Sequence, residues 1–278
     1  MNAELLLMFT LGCDRAHIYG HPERELTADE QSRYEAALAE RARGVPAQYI
    51  TGHQEFWGMD LIVSPAVLIP RPETEHVIET VLEILTSDRR PRTSAASSKS
   101  LEVRDPKSEV RIRIADVGTG SGCIALALAR ELPNAEIHAT DISAAALDIA
   151  RANAARHQLE SRIHFHQTDL LEGLVPGFDF IISNPPYVGE SEKDQVQLEV
   201  RKFEPRGAVF AGPTGVEVIA RLIPQAHAAL RSEGWLVMEI SGTTADAVRG
   251  LLDGWEEVQI ANDLQGIPRV ARARKPRD

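Results

Sequence analysis

The chain has 278 residues, 43% of them hydrophobic, which allows one large domain or a main domain with a smaller companion. Its 41 acidic and 30 basic residues give a formal net charge of −11. This charge argues against binding nucleic acid through its phosphates, so we expect no direct nucleic-acid binding. The 2 cysteines lack metal-ligand spacing, and the apolar run Leu5–Phe9 is too short to cross a bilayer, so we expect a cytoplasmic protein without a metal site or membrane span.

Residues 1–52 are predicted to form a small helical domain. The apolar run Ala3–Leu11 indicates one helix. Thr27 and Glu30 have the spacing of a capping box at the start of another helix, and Gly44 follows its end. Because the region holds no candidate nucleophile or acid/base pair, we interpret it as a substrate-docking module.

Residues 53–75 are predicted to form a β-hairpin and a connecting segment. Two short β-prone runs on either side of Gly58 indicate the hairpin. Prolines then flank Arg71 and hold it in an extended segment. Arg71 either serves a cofactor pocket or forms a surface ion pair with Glu73 or Glu75, and its surroundings alone favour the ion pair.

Residues 76–278 are predicted to form the main domain. A helix over 76–85 comes first, and the polar stretch 86–109 lacks periodicity, which predicts a flexible insertion. Strands and helices then alternate, a pattern typical of a doubly wound α/β sheet. The last strands are predicted to form an antiparallel pair joined through Gly266.

A glycine-rich turn follows the first strand of this domain. Glycines between a strand and a helix let the backbone approach a ligand closely. The spacing G-x-G-x-G differs from the dinucleotide form G-x-G-x-x-G, which disfavours NAD as the ligand. The predicted cofactor-binding turn comprises Gly118, Thr119, Gly120, Ser121 and Gly122.

The second and third strands of the main domain each end at an aspartate. Asp141 lies about twenty positions after the glycines, where an acidic residue accepts hydrogen bonds from the ribose of an adenosine. Its alternative role is the N-cap of a helix that begins at Ser143. At the end of the third strand, Asp169 is placed to accept from an adenine amino group while Leu170 packs on the ring.

The sequence Ser183-Asn184-Pro185-Pro186-Tyr187 follows a short apolar strand and is the strongest functional signal in the chain. The prolines fix two φ angles and remove two backbone donors, which makes a stiff rim at the carboxyl end of a strand. The Asn184 side chain and the Pro185 backbone each offer a carbonyl that suits a substrate NH2 group, and Tyr187 can stack on its planar π system. A loop turn with a capping asparagine is the alternative.

Together these motifs resemble the glutamine methyltransferases of peptide chain release factors, the HemK/PrmC-like family. The resemblance runs from about Ala3 to Lys275. It rests on Leu68–Glu75, Asp116–Gly122, Ser183–Tyr187, Glu204 and Pro205 with Gly212 and Gly215, and Asp263 with Gly266 and Arg269. The chain departs from the family pattern in a shorter N-terminal bundle, in the longer 86–109 insertion, and at Leu170, where some members have an aromatic residue.

The resemblance implies a class I methyltransferase fold, a Rossmann-like doubly wound sheet behind a helical N-terminal domain. It implies S-adenosyl-L-methionine as the cofactor and, as partner and substrate, class I peptide chain release factors with the glutamine of their Gly-Gly-Gln motif. The methyl group would go to the side-chain nitrogen N5 of that glutamine.

We therefore predict a site at the carboxyl edge of the sheet. Asn184 and Pro185 accept the two N–H groups of the substrate amide, Tyr187 holds the amide plane by stacking, and no general base is required. Asn184, Pro185 and Tyr187 are the predicted catalytic residues, and Pro186 joins them in binding substrate. The predicted cofactor set is Gly118, Thr119, Gly120, Ser121, Gly122, Asp141, Asp169, Leu170, Asn184 and Arg71.

Two other functions compete with this one. Adenine and cytosine present a similar planar NH2 group, so the same rim suits a methyltransferase that acts on a flipped base. Another protein's glutamine is a related alternative. The second competitor is a non-catalytic, cofactor-sensing protein that docks a partner through its helical domain.

Overall fold

The computed structural model describes residues 2–88 and 111–277. Its N-terminal part consists of short helices: α1 (Asn2–Leu11), α2 (Arg15–Gly20), α3 (Ala28–Ala42) and α4 (Ala47–Thr51). The predicted capping box is confirmed at α3. The Thr27 hydroxyl accepts from the Glu30 N–H at 3.2 Å, and the Glu30 carboxylate accepts from the Thr27 N–H at 2.9 Å. Leu6 of α1 is fully buried and forms part of the protein core.

The predicted hairpin is present as β1 (His53–Phe56) and β2 (Met59–Ile62), which pair antiparallel. Asn153 anchors it to the main domain, since its side-chain oxygen accepts from the Ile62 N–H at 2.7 Å and its NH2 donates to the Ile62 carbonyl at 3.0 Å. A 3-10 turn over Pro72–Thr74 then leads into α5 (Glu75–Asp88).

The helix predicted over 76–85 extends further than expected. Because α5 continues to Asp88, the first residues of the predicted 86–109 insertion are helical. The rest of that insertion lies outside the described residues. In the described parts of the chain, no helix has the length and apolar character needed to cross a membrane.

The main sheet and its helices follow. The first elements are β3 (Arg113–Val117), α6 (Cys123–Glu131), β4 (Glu136–Asp141), α7 (Ala144–Arg156), β5 (Ile163–Gln167) and β6 (Phe178–Ser183). The next are β7 (Val188–Gly189), α8 (Leu198–Phe203), α9 (Arg206–Val209), β8 (Phe210–Gly212) and α10 (Glu217–Ala229). The chain ends with β9 (Leu230–Glu239), α11 (Ala245–Leu251), β10 (Glu256–Asn262) and β11 (Pro268–Arg274).

Within the described residues, the main sheet has the order β10-β11-β9-β6-β3-β4-β5. Strands β9, β6, β3, β4 and β5 run parallel, whereas β11 is antiparallel to both β9 and β10. One apolar core lies between the sheet and α5, α6 and α7, and a second lies between the opposite face and α10 and α11. The predicted Rossmann-like doubly wound fold with its terminal antiparallel pair is therefore confirmed.

Candidate active site

The register of the parallel strands brings the predicted residues to one edge of the sheet. Val117 at the end of β3 pairs with Thr140 of β4 on one side and with Ser183 of β6 on the other. Ser183 in turn pairs with Met238 of β9. The glycine turn, Asp141 and Asn184 therefore follow neighbouring strand ends, which is where open α/β sheets bind ligands.

The glycine turn depends on backbone conformations that other residues rarely adopt. Gly118, Gly120 and Gly122 have φ values of 72°, 55° and 85°. A Cβ atom at Gly118 or Gly120 would have open space around it, whereas one at Gly122 would lie 2.5 Å from the Leu126 side chain. The first two glycines thus leave room beside the backbone, and the third allows α6 to pack closely.

Asp116, the acidic residue just before the turn, is fully buried. Its Oδ2 accepts from the Thr119 hydroxyl at 2.6 Å and from the Ala125 N–H at 3.1 Å. Its Oδ1 is buried and has no hydrogen-bond partner among the described residues. Burial, together with the negative charge of Asp141, raises the pKa of Asp116 to about 7.

Asp141 connects the glycine turn to the start of α7. One carboxylate oxygen accepts from the Gly120 N–H at 2.9 Å and the other from the Ser143 N–H at 2.9 Å. Asp141 is not the N-cap of α7, because Ser143 has that role and accepts from the Ala146 N–H at 3.2 Å. Each carboxylate oxygen of Asp141 can accept a further hydrogen bond.

Asp169 and Leu170 follow β5 at the same edge. The Asp169 carboxylate forms an ion pair with Arg221 at 2.5 Å, and about a third of its side chain is exposed. Leu170 has a φ of 53°, an uncommon conformation for leucine, and packs against the core on the α10 side of the sheet. The Asp169 carboxylate is therefore paired with Arg221, and its contact with adenine stays a prediction.

Asn184 presents two different atoms to its surroundings. Its Nδ2 donates to the Thr74 hydroxyl oxygen at 3.0 Å, while no described residue donates a hydrogen bond to its Oδ1. The carbonyl of Pro185 likewise accepts no hydrogen bond from the described residues. Two acceptors that are adjacent in the chain thus remain available at the strand end. Pro185 itself is buried, and Pro186 and Tyr187 are half-buried.

Behind these residues lies a buried carboxylate that sequence reasoning missed. Glu239 ends β9, and 1% of it is exposed. Its Oε2 accepts from the Thr74 hydroxyl at 2.6 Å, and its Oε1 accepts from the Tyr187 hydroxyl at 2.9 Å. Burial raises the pKa of Glu239, and burial together with the charge of Glu239 raises the pKa of Tyr187.

The signal for Glu239 was present in the sequence. A single acidic residue follows the apolar run Trp235–Met238 at the end of a predicted parallel strand, the same position that drew attention to Asp141. For Thr74 no such signal existed. Its hydroxyl is bonded to Glu239, a residue far from it in the chain.

Arg71 has a different partner from the ones expected. Its guanidinium pairs with Glu204, a carboxylate whose side chain is 1% exposed, and not with Glu73 or Glu75. Glu204 also accepts from the Ile69 N–H at 3.2 Å, so it ties the segment before α5 to the segment after α8. The alternative of a surface ion pair between Arg71 and Glu73 or Glu75 is therefore wrong, and the assignment of Arg71 to the cofactor pocket stays a prediction.

Comparison with known proteins agrees with this geometry. Residues 1–52 match the model of the PrmC N-terminal domain, and residues 98–202 match that of the Methyltransferase small domain. A release factor glutamine methyltransferase of Koribacter versatilis is 54% identical, over 99% of this chain and 91% of its own length. One of Chlorobaculum tepidum is 42% identical, over 97% of this chain and 88% of its own length.

Solved structures share the fold. The catalytic domain of human METTL16, in complex with an RNA hairpin of the MAT2A 3′UTR, has a TM-score of 0.58 at 18% identity, covering 83% of this chain and 80% of its own. A 16S rRNA N2 G1207 methyltransferase of Thermus thermophilus, in complex with AdoMet and guanosine, has a TM-score of 0.55 at 18% identity, covering 80% of this chain and 49% of its own.

The sheet order, the glycine turn and the residues at the strand ends define a class I methyltransferase that uses S-adenosylmethionine. Within that class, the chain belongs to the release factor glutamine methyltransferase family. The fold and the family expected from the sequence motifs are thereby confirmed.

Proposed function

We propose that this protein transfers the methyl group of S-adenosylmethionine to the side-chain nitrogen N5 of a glutamine, the one in the Gly-Gly-Gln motif of class I peptide chain release factors. The names of the relatives support this substrate. The observation that carries the proposal is the pair of acceptors, Asn184 Oδ1 and the Pro185 carbonyl, to which no described residue donates a hydrogen bond. They lie beside the glycine turn, where the methyl donor would bind.

The residues around the glycine turn fit the cofactor. Asp116 Oδ1 is a buried acceptor without a partner in the described chain, which suits a cationic ligand. When bound, the cofactor supplies a methyl group on a positively charged sulfur. We assign the ribose hydroxyls to Asp141 and the adenine to Asp169 and Leu170. The turn residues Gly118, Thr119, Gly120, Ser121 and Gly122 would line its approach, with Asn184 and Arg71 at its border.

The amide nitrogen of glutamine is a poor nucleophile because its lone pair is delocalised into the carbonyl. In our proposal Asn184 Oδ1 and the Pro185 carbonyl each accept one N–H of this amide. They orient the nitrogen and favour its pyramidal form as positive charge develops on it. Pro186 and the Tyr187 ring hold the amide plane. Good orientation alone lowers a barrier by about 7–11 kcal/mol in favourable cases.

We further propose that the chain is organised as the sequence predicted. Residues 1–52 would dock the release factor, 53–75 would connect, and 76–278 would carry the chemistry, in the cytoplasm. No direct contact with nucleic acid is needed for this activity. The excess of 41 acidic over 30 basic residues supports that expectation.

The test uses labelled S-adenosylmethionine with, in turn, a class I release factor, the same factor with its Gly-Gly-Gln glutamine replaced, duplex DNA, and RNA. We expect label on the intact release factor alone. Label on DNA or RNA would support a nucleic-acid methyltransferase, and cofactor binding without any label would support a sensor.

The pair of acceptors is tested by Asn184→Ala, which we expect to lower turnover by about 100-fold or more, the scale of losing an aimed dipole in a site. Asn134→Ala is a matched control, because Asn134 is exposed in the turn before β4, at the opposite end of the sheet. A folded Asn184→Ala protein that keeps most of its rate would rule out the role of Asn184.

A further inference from the structure

Glu239 contacts parts of the candidate site that are far apart in the chain. Its two oxygens accept from the hydroxyls of Thr74 and Tyr187, at 2.6 and 2.9 Å. Thr74 in turn accepts from Asn184 Nδ2 at 3.0 Å. We propose that Glu239 is a positioning residue, which sets the direction of these hydrogen bonds and thereby makes Asn184 present an acceptor to the substrate; this inference rests on the proposed function.

The direction follows from the number of protons available. Thr74 and Tyr187 both donate to Glu239, and these hydrogen bonds favour its ionised form against the effect of burial. An ionised carboxylate only accepts hydrogen bonds, so in that form neither hydroxyl can accept from it. A threonine hydroxyl has a single hydrogen, and Thr74 directs it to Glu239. The Thr74 oxygen can therefore only accept from Asn184, which must turn its Nδ2 inward. Asn184 Oδ1 is left facing the opposite way.

This direction decides which substrate group the site accepts. A substrate carboxamide brings an NH2 group with two donors, and it needs acceptors. If Asn184 were rotated so that its own NH2 faced outward, two sets of donors would face each other. An asparagine side chain by itself could present either its acceptor oxygen or its donor NH2 group. The buried carboxylate thus makes the site select for an amino group.

The placement of Glu239 indicates that the acid itself is needed. A buried carboxyl group is unfavourable for folding unless neighbouring groups compensate it. An apolar side chain would fill the same space without the free-energy cost of desolvation. The charged groups that act on it oppose each other, since Arg269 favours its ionised form and Glu73 disfavours it. Both of its oxygens are nevertheless used on residues of the candidate site.

The central test is Glu239→Gln, which keeps the shape but replaces one acceptor by a donor. A glutamine NH2 directed at Thr74 would send the Thr74 hydrogen toward Asn184 and reverse the network. We expect kcat with a release factor to fall about 100-fold, as for a misdirected catalytic group, with the Kd for S-adenosylmethionine changed less than about threefold. Glu160→Gln, the same change at an exposed site before β5, should leave both unchanged.

A second pair of variants separates positioning from packing. Thr74→Ser keeps the hydroxyl and should retain most of the activity, whereas Thr74→Val keeps the volume and should lose activity like Glu239→Gln. Equal activity in the serine and valine variants would contradict the proposal. So would a Glu239→Gln protein within about threefold of the wild-type kcat, or one that loses cofactor binding as strongly as turnover.

An independent measurement does not need the substrate. In the NMR spectrum of the wild-type protein, one side-chain NH2 proton of Asn184 should exchange slowly with water, because Thr74 accepts it. Exchange should stay slow in Thr74→Ser and become fast in Thr74→Val and Glu239→Gln. Fast exchange in the wild type would overturn the inference. If the wild type shows slow exchange but no methylation of the release factor, the proposed function fails while the orienting network stands.

Discussion

Two buried carboxyl groups at the same edge of the sheet behave differently. Asp116 on β3 and Glu239 on β9 are 0% and 1% exposed, and burial raises the pKa of both. Glu239 has a hydroxyl donor at each oxygen. Asp116 receives two hydrogen bonds at Oδ2, while its Oδ1 has no partner in the described structure.

The difference divides the candidate site into two halves. Glu239 is 1% exposed, and each of its oxygens accepts from a residue of the site, so it acts on a ligand through those neighbours. A buried acceptor without a protein partner, as in Asp116, is a costly feature that a bound ligand can compensate. We therefore expect the Asp116 half to govern cofactor affinity and the Glu239 half to govern the use of the protein substrate.

The largest expected effect comes from Asp116→Asn, which keeps the shape and removes the charge. We expect the Kd for S-adenosylmethionine to rise about 10- to 100-fold, the size of a charge-assisted hydrogen bond of about 1.5–3 kcal/mol. The protein without cofactor should be as stable as the wild type or more so, because no charge is buried. Calorimetric binding and urea unfolding measure the two quantities.

Glu239→Gln is the matched variant for that experiment, since it makes the same chemical change in the other half of the site. Its cofactor affinity should stay close to that of the wild type. A similar loss of cofactor affinity in both variants would show that the two halves are not separate.

The next effect concerns the loop that supports the substrate half. Gly215 has a φ of 89°, and a Cβ atom there would lie 2.6 Å from the Tyr187 carbonyl oxygen. Gly215→Ala should lower the free energy of unfolding by about 2 kcal/mol, from backbone strain and the forced shift. Because the shift moves Tyr187, turnover should fall about tenfold, with cofactor affinity nearly unchanged.

Gly250→Ala is the control for the glycine substitution. Gly250 lies within α11, and a Cβ atom there would meet nothing within 4 Å. Alanine should be neutral or slightly stabilising at this helical position. If Gly215→Ala weakened cofactor binding more than turnover, the assignment of this loop to the substrate half would be incorrect.

Much of this arrangement was predictable, because its signals are local. Hydrophobic periodicity predicted the strands, and glycine and proline chemistry marked the turns that hold Gly118 and Asn184. The contacts that orient the site are not local. Thr74 and Glu239 are 165 residues apart in the chain, and Arg71 and Glu204 are 133 apart. A single sequence does not show which distant polar residues meet, so both pairings were missed or assigned wrongly.

The last effect is a pH dependence of stability that belongs to Asp116. Its folded pKa of about 7 lies above the ordinary value of 3.8, so between these values the folded state binds a proton that the unfolded state lacks. The contribution of Asp116 to stability is therefore largest below about pH 4 and is lost as the pH rises toward 7.

The Asp116→Asn protein has no such proton, so the difference between the two proteins reports the titration that depends on Asp116. Since one pKa unit corresponds to about 1.4 kcal/mol, the stability of Asp116→Asn relative to the wild type should increase by about 3–4 kcal/mol between pH 4 and pH 8. Urea unfolding of both proteins across this range, without cofactor, measures the difference. A constant difference would mean that Asp116 stays ionised throughout. Its charge would then be compensated within the protein, as the oxygens of Glu239 are, and the contrast between the two carboxyl groups would disappear.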